Sequence, residues 1–254
     1  MKKDKSKKKQ GGIQIYFARN RFIKKVEPKR SLTPIKFYGK EIYRFFGEYW
    51  QAKALLEGKV WISTLSVCRN YENPLQGDPF EGKAEHTINA KGFGYERKIG
   101  LANEMTGMKN HEEALYSLNS HKIEYEIPDA YVLCTTEVYK PEKMAETFGN
   151  YAVKIKEPQQ FFKVVTKKLE HLKGNMNSRF SRVIYKTPLT FQNEEIYTEP
   201  DLDDIGFLKM PDKYANQKEV RMLWFPSNRL PISPFLLNCS EASQFCELVT
   251  KTGF

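Results

Sequence analysis

The chain has 254 residues, enough for one large domain or two small ones with a substantial core. Hydrophobic residues at 40% and aromatics at 13% exclude a wholly disordered or fibrous chain. The net charge of +10 is uneven: residues 1–10 hold six lysines against Asp4, leaving the remainder only mildly basic.

A lysine run of that kind cannot bury apolar area, so residues 1–12 are expected to form a disordered basic tail ahead of a single domain at 13–254. The tail reads either as non-specific attraction to nucleic acid or an acidic partner, or as a solubilising terminus. No apolar segment follows it, so a signal peptide is not expected, and no run approaches the roughly 18 apolar residues that span a bilayer. Cys68, Cys134, Cys239 and Cys246 form no C-x-x-C pair. His86, His111, His121 and His171 show no ligand spacing either. These patterns predict reduced, mostly buried thiols, no metal and a cytoplasmic protein.

In chain order, residues 13–23 alternate in a partly strand-like way, and 24–34 read as a proline-bounded loop. Extended structure is expected at 35–38 and 41–46, with 42–46 the stronger strand. Residues 48–57 change to a helical period and stop at Gly58, a natural left-handed terminator. Residues 59–64 are again strand, and 70–81 form loops with tight-turn chemistry at Asn73-Pro74 and Gly77-Asp78-Pro79-Phe80-Glu81-Gly82. Within 84–127, a hairpin is expected over 86–98 with its turn near Gly92 and Gly94, followed by a flexible or partly helical insertion at 104–119.

Residues 130–136 predict a buried strand, 141–148 a short helix, 151–155 a strand and 158–172 an amphipathic helix presenting Phe161, Phe162, Val165 and Leu169. Strands follow at 181–185, 217–225 and 232–239, with an acidic loop at 194–204 and a terminal helix at 241–249. Strands outnumber helices, no repeat is visible, and the fold class is α+β. In the strand at 217–225, alternation places Gln217, Glu219 and Arg221 on one face and Lys218, Val220 and Met222 on the other.

Ile42-Tyr43-Arg44, the helix at 50–58 and Val60-Trp61-Ile62-Ser63-Thr64 resemble the opening of ADP-ribosyltransferase-like folds. Gln217-Lys218-Glu219 is similar to the Q-x-E element that closes the same site, giving an Arg-Ser-Glu pattern. Asp78-Pro79-Phe80-Glu81, followed by the strand at 131–136 and Glu219 to Arg221, also resembles a bacterial uncharacterised-domain family with an N-D-P-F-E hallmark. Leu65 stands at the third position of the Ser-Thr-Ser element, and Gly77 where the hallmark has asparagine.

The resemblance implies a mostly antiparallel split β core flanked by short helices, with NAD as substrate. It implies Glu219 as the catalytic carboxylate and Gln217 as the residue positioning the acceptor. Arg44 would grip the pyrophosphate or ribose, Ser63 and Thr64 would brace the strand at the nicotinamide end, and Tyr71 would pack on the nicotinamide ring. Read locally, Glu219 is equally an exposed strand carboxylate paired with Arg221 or a neighbour, and Asp78 and Glu81 pin a turn.

Family members of this kind act as toxins or in phage defence, so RNA or DNA, or a protein, is the implied acceptor, and an antitoxin or regulatory protein an implied partner. Arg179, Arg182 and Lys186, with Phe180 and Tyr185 between them, read either as a nucleic-acid face of mixed cations and aromatics or, by preference, as a solvated strand with a buried aromatic. The rival function is a non-catalytic nucleic-acid- or partner-binding module on the same fold. A weaker third is an RNA-processing phosphotransferase.

Overall fold

A computed structural model describes residues 24–25, 39–72, 76–93, 95, 109, 113, 115–185, 190–191, 205–228 and 230–249. The expectations for residues 1–23, 26–38, 194–204 and Gly94 lie outside that set. The described part is α+β, with a mostly antiparallel main sheet and few helices.

Two sheets dominate. In the first, β1 (Lys24–Lys25), β4 (Lys83–Phe93), β5 (Leu115–Glu126) and β10 (Thr190–Phe191) run in the order β1-β5-β4-β10. The antiparallel β4–β5 ladder is much longer than the hairpin expected at 86–98. It also takes in 115–119, where an insertion was expected, because period-2 pairing extends through Leu115↔Phe93. Lys24 and Lys25, expected in a loop, pair with Tyr125 and Glu126.

The main sheet is built on β6 (Tyr131–Thr136). Along one edge β6 pairs with β12 (Glu219–Pro226), which pairs in turn with β8 (Met176–Arg182). The other edge is divided. β3 (Lys59–Thr64) meets β6 only at Val132 and Tyr131, and β2 (Ile42–Phe46) meets it only at Thr136. From there β3 continues to β13 (Phe235–Asn238), while β2 continues to β7 (Tyr151–Ile155) and β14 (Cys246–Val249). The two arms therefore part beside Leu133, Cys134 and Thr135.

The sheet is buried on both faces. Ile42, Val60, Ile62, Leu133, Val153, Val220, Met222 and Trp224 pack with α1 (Tyr49–Leu56) and α3 (Pro158–Lys173) on one side. Phe161, Val165 and Leu169 of α3 repeat every four residues, as a helix resting one stripe on a sheet requires. On the other side Val132, Leu223 and Phe225 pack with Leu65, Ile127, Ile205 and Phe207. Because alternate residues of β12 enter these two clusters, Glu219 and Arg221 lie on the second face, as a polar extension of Leu223 and Phe225.

Gln51 Oε1 accepts from the Glu48 amide at 3.1 Å, tying down the start of α1. The helix ends at Gly58, whose φ of 77° and carbonyl bond to Cys239 N at 2.8 Å turn the chain into β3. A Cβ there would stand 2.4 Å from the Cys239 carbonyl oxygen. Gly58→Ala is therefore expected to cost about 1–3 kcal/mol, read from the urea midpoint; an unchanged midpoint would contradict that geometry.

Two further expectations are corrected, and one short helix was not anticipated. Residues 65–69 form a short helix, α2 (Leu65–Arg69), because Thr64 Oγ1 caps it by accepting from Val67 N at 3.3 Å. The helix expected at 241–249 is a 3-10 turn (Ser240–Phe245) followed by β14, since Cys246 to Val249 gain ladder bonds at the free edge of β7. The strand at 217–225 starts two residues late: Gln217 ends a 3-10 turn and Lys218 is left-handed at φ 45°. The shared face of Glu219 and Arg221 survives, but Gln217 is not part of that alternation.

Candidate functional site

Where β2 and β3 separate along β6, the missing ladder leaves a cleft of about 600 Å³. That volume is within the roughly 300–1,000 Å³ typical of cofactor and small-molecule sites. Arg44 from β2, Tyr71 from the loop after α2, Cys134 from β6, and Gln217 and Glu219 at the head of β12 all line it. Ser63 and Thr64, expected at the same site, do not. The Ser63 hydroxyl lies 4.0 Å from Cys68 Sγ, one layer behind the wall, and Thr64 is fully buried as the α2 cap. Alternation along β3 and the onset of α2 turn both away.

Glu219 is not a solvated strand carboxylate; only 5% of it is exposed. Its Oε1 accepts from Arg221 Nε at 2.9 Å and its Oε2 from Lys209 Nζ at 2.9 Å, while its own amide donates to the Tyr185 hydroxyl at 2.9 Å. Lys209 belongs to the short strand β11 (Leu208–Lys209), paired with β9 (Ile184–Tyr185). Arg221 reaches past Glu219 to Glu81, with Nη1 and Nη2 at 2.6 Å and 2.9 Å from its two carboxylate oxygens, and Nη1 also donates to the Gly206 carbonyl at 2.7 Å. Lys209 Nζ lies 3.6 Å from Glu81, completing a closed set of two carboxylates and two cations.

Burial alone would push the Glu219 carboxyl up, but Arg221 and Lys209 outweigh it and hold it at about 2. Glu219 is therefore an anion across the physiological range. For Glu81 burial is the larger influence and raises its carboxyl, against the pull of Arg221 and Lys209. The same two carboxylates raise the Lys209 ammonium despite its burial. The Cys134 thiol is raised well above the ordinary range by its bond to Cys68, by burial and by Glu219, so it is a protonated thiol on the cleft wall.

Glu81 was expected to pin a turn, and this is corrected: its carboxylate is the fork partner of Arg221, inside the ion cluster. Asp78 does hold the turn, accepting from Phe80 N at 2.9 Å and from Met210 N at 3.4 Å. Gly77, at the hallmark's asparagine position, stands where a Cβ would meet the Tyr71 carbonyl oxygen at 2.5 Å. Its own carbonyl accepts from the Tyr214 hydroxyl at 2.7 Å. A side chain at that position would displace the Tyr71 loop from the cleft.

Arg44 differs from the cluster cations. Its Nη1 donates to the Trp61 carbonyl at 3.1 Å, bridging the two arms of the split sheet, and its guanidinium lies over the Phe46 ring at 5.4 Å. Among the described residues no carboxylate pairs with it, and burial lowers it from its usual value. A half-buried guanidinium without an anion, on a cleft wall, is placed to bind a phosphate or another oxyanion.

Gln217 keeps a place at the mouth although it leaves the strand. Its carbonyl accepts from the Thr136 hydroxyl at 2.6 Å, and its Oε1 lies 3.4 Å from Lys209 Nζ. Around Arg179 and Phe180 the aromatic is buried, as the preferred reading had it, and the alternative of a nucleic-acid face is not exposed there. Arg179 is buried as well, and Arg182 is exposed but donates to Glu137 at 2.7 Å; Lys186 lies outside the described residues.

Lys209 and the ionic role of Glu81 were not legible in the sequence. Their partners are brought in by β11 and by the turn at Asp78, so no local spacing marks them. Arg221, two residues from Glu219 on the same face, was legible as its partner. Among the described residues no group of three or more His, Cys, Asp or Glu is placed to hold a metal, and no helix is long and apolar enough to cross a membrane. Comparison of the chain with family models, with curated proteins and with solved structures found no match.

Proposed function

We propose that this protein is an NAD-dependent mono-ADP-ribosyltransferase, acting as a toxin or phage-defence effector on a nucleic-acid or protein acceptor. The observation that carries the reading is the convergence of Arg44, Tyr71, Gln217 and Glu219, from four separated stretches, on one cleft at the split of an antiparallel sheet. The donor set suits a dinucleotide: a cation without a carboxylate partner for the pyrophosphate, tyrosine and phenylalanine walls for the rings, and a fixed anion for the ribose.

In this reading Arg44 holds the pyrophosphate and Tyr71 packs on the nicotinamide. As the nicotinamide–ribose bond breaks, its electron pair leaves with the ring nitrogen and positive charge develops on the ribose. Glu219, ionised and anchored by Arg221, stabilises that charge. Gln217 orients the acceptor, whose nucleophilic atom bonds to the ribose carbon and whose proton passes to solvent.

The test is incubation of the protein with carbonyl-labelled or adenine-labelled NAD and a cell extract. Release of labelled nicotinamide and transfer of the adenine label to a macromolecule are the expected results. Absence of both from folded protein would sink the enzymatic reading.

One observation favours a second reading, a binding module without the reaction. Both oxygens of Glu219 are already occupied by cations, so the carboxylate is satisfied before any substrate arrives. That reading predicts ligand binding with no NAD cleavage. Arg44→Ala serves both: it is expected to weaken binding of NAD, or of the module's anionic ligand, by roughly tenfold or more, measured by calorimetry.

A further inference from the structure

A second cavity, of about 240 Å³, opens next to the cleft on the outer surface of the β3–β13 arm and α1. It is lined by Trp50, Trp61, Leu236 and Lys59, and shares Arg44 and Phe46 with the cleft. Trp61 and Leu236 are opposed in the β3–β13 register, so they stand side by side on the same outward face. Trp50 is 67% exposed, Trp61 46% and Leu236 47%. Two tryptophans and a leucine that remain this open while bordering one groove are an apolar surface left uncovered among the described residues.

Among the described residues that line the groove the charged ones are Arg44 and Lys59; Lys59 Nζ is paired at its edge with the exposed Glu57 at 3.0 Å, whereas Arg44 has no described carboxylate partner. Flat aromatic faces beside cations, one of them without a carboxylate partner, match a ligand alternating planar rings with anionic linkers. The geometry points to a binding site for single-stranded nucleic acid, with bases stacked on Trp50 and Trp61, a backbone phosphate on Lys59, and Arg44 at the boundary with the cleft, where it holds the pyrophosphate when NAD is bound. An acidic peptide would satisfy the cations but leave the indole faces unused.

The groove is continuous with the cleft through Arg44 and Phe46, so a strand bound there leads towards Gln217 and Glu219. In that respect the inference deepens the proposed activity by naming its acceptor class, and to that extent it rests on that reading. The binding itself is measured without NAD, so a failure of binding and a failure of NAD cleavage are separate results.

The experiment titrates the full chain into a short fluorescein-labelled single-stranded RNA of mixed sequence, read by anisotropy with intrinsic tryptophan quenching in parallel. Wild type is expected to bind, to quench, and to lose affinity steeply with salt. Trp50→Ala and Trp61→Ala are each expected to weaken binding by roughly tenfold and to abolish part of the quenching. Both side chains are exposed, and an unchanged thermal midpoint checks that the fold is intact.

The inference is overturned if a variant carrying both Trp50→Ala and Trp61→Ala binds as wild type does, and loss of affinity on removal of residues 1–10 would then assign binding to the lysine run. It is equally overturned if polyglutamate competes as well as unlabelled RNA, which would make the site a general polyanion or acidic-protein surface. Absence of RNA binding by the wild-type chain would also refute it.

Discussion

Replacing Arg221 with methionine is expected to destabilise the protein by about 3–5 kcal/mol, read from urea unfolding. Arg221 has no solvent exposure and lies between Glu219 and Glu81, contributing hydrogen bonds to both. Its removal leaves two carboxylates sharing Lys209 alone, in a setting where each charge has already lost its hydration. Like-charge repulsion and an unmet desolvation cost then act together. The loss therefore measures the broken pairing and not the net worth of the intact cluster.

That distinction is testable. The double replacement Arg221→Met with Glu81→Leu removes one ion of each sign and leaves the Lys209–Glu219 pair at 2.9 Å intact. It is expected to be more stable than Arg221→Met alone, so the two changes would be strongly non-additive. Additive losses would show that Glu81 and Arg221 do not act as a unit.

Replacing Glu219 with glutamine is expected to lower NAD cleavage by roughly a hundredfold or more, the scale of losing one preorganised charge at a developing transition state. The substitution keeps volume but exchanges one of the two acceptor oxygens, which face Arg221 and Lys209, for an amide donor; with the fold checked by its thermal midpoint, binding of NAD should change less than turnover. Equal loss of binding and turnover would count against a transition-state role. Turnover that survives at the wild-type rate would remove Glu219 from the chemistry altogether.

The same variant has a pH signature. Glu219 falls from the ordinary 4.5 to about 2 on folding, so it releases its proton more readily in the folded state. Its contribution to stability is therefore fully present above about pH 4.5 and lost as pH falls towards 2. Glu81 is shifted the other way, so its contribution is greatest at low pH and is lost as pH rises through its raised value. The stability gap between wild type and Glu219→Gln is accordingly expected to narrow below pH 4.5, measured by urea unfolding across a pH series. A gap independent of pH would mean that the ionised carboxylate is not what the substitution removes.

Much of the local structure follows from short-range rules. Phe161, Val165 and Leu169 recur at helical spacing, and the 16-residue helix Pro158–Lys173 carries them as its buried stripe. Gly58 ends α1, and the apolar runs at 130–136 and 217–225 become the central pair β6 and β12. The terminal segment failed as a helix because β7 offered an open edge, and a six-residue 3-10 turn leads into a four-residue strand that pairs with it. A free sheet edge is a tertiary fact that no window of sequence contains.

By itself the sequence determined most of the strands, the principal helices and the shared face of Glu219 and Arg221, and a family resemblance singled out Arg44, Tyr71, Gln217 and Glu219. Only the tertiary structure decided that these four share a cleft, because the cleft exists where β2 and β3 part company on β6. It also decided that Ser63 and Thr64 face away, that Glu81 is an ion-pair partner, and that Lys209 completes the charge balance. The physical reason is range. Periodicity and capping act over a few residues, whereas a buried charge must be neutralised by whatever the fold brings within about 3–4 Å of it, here from residues 81, 209 and 221.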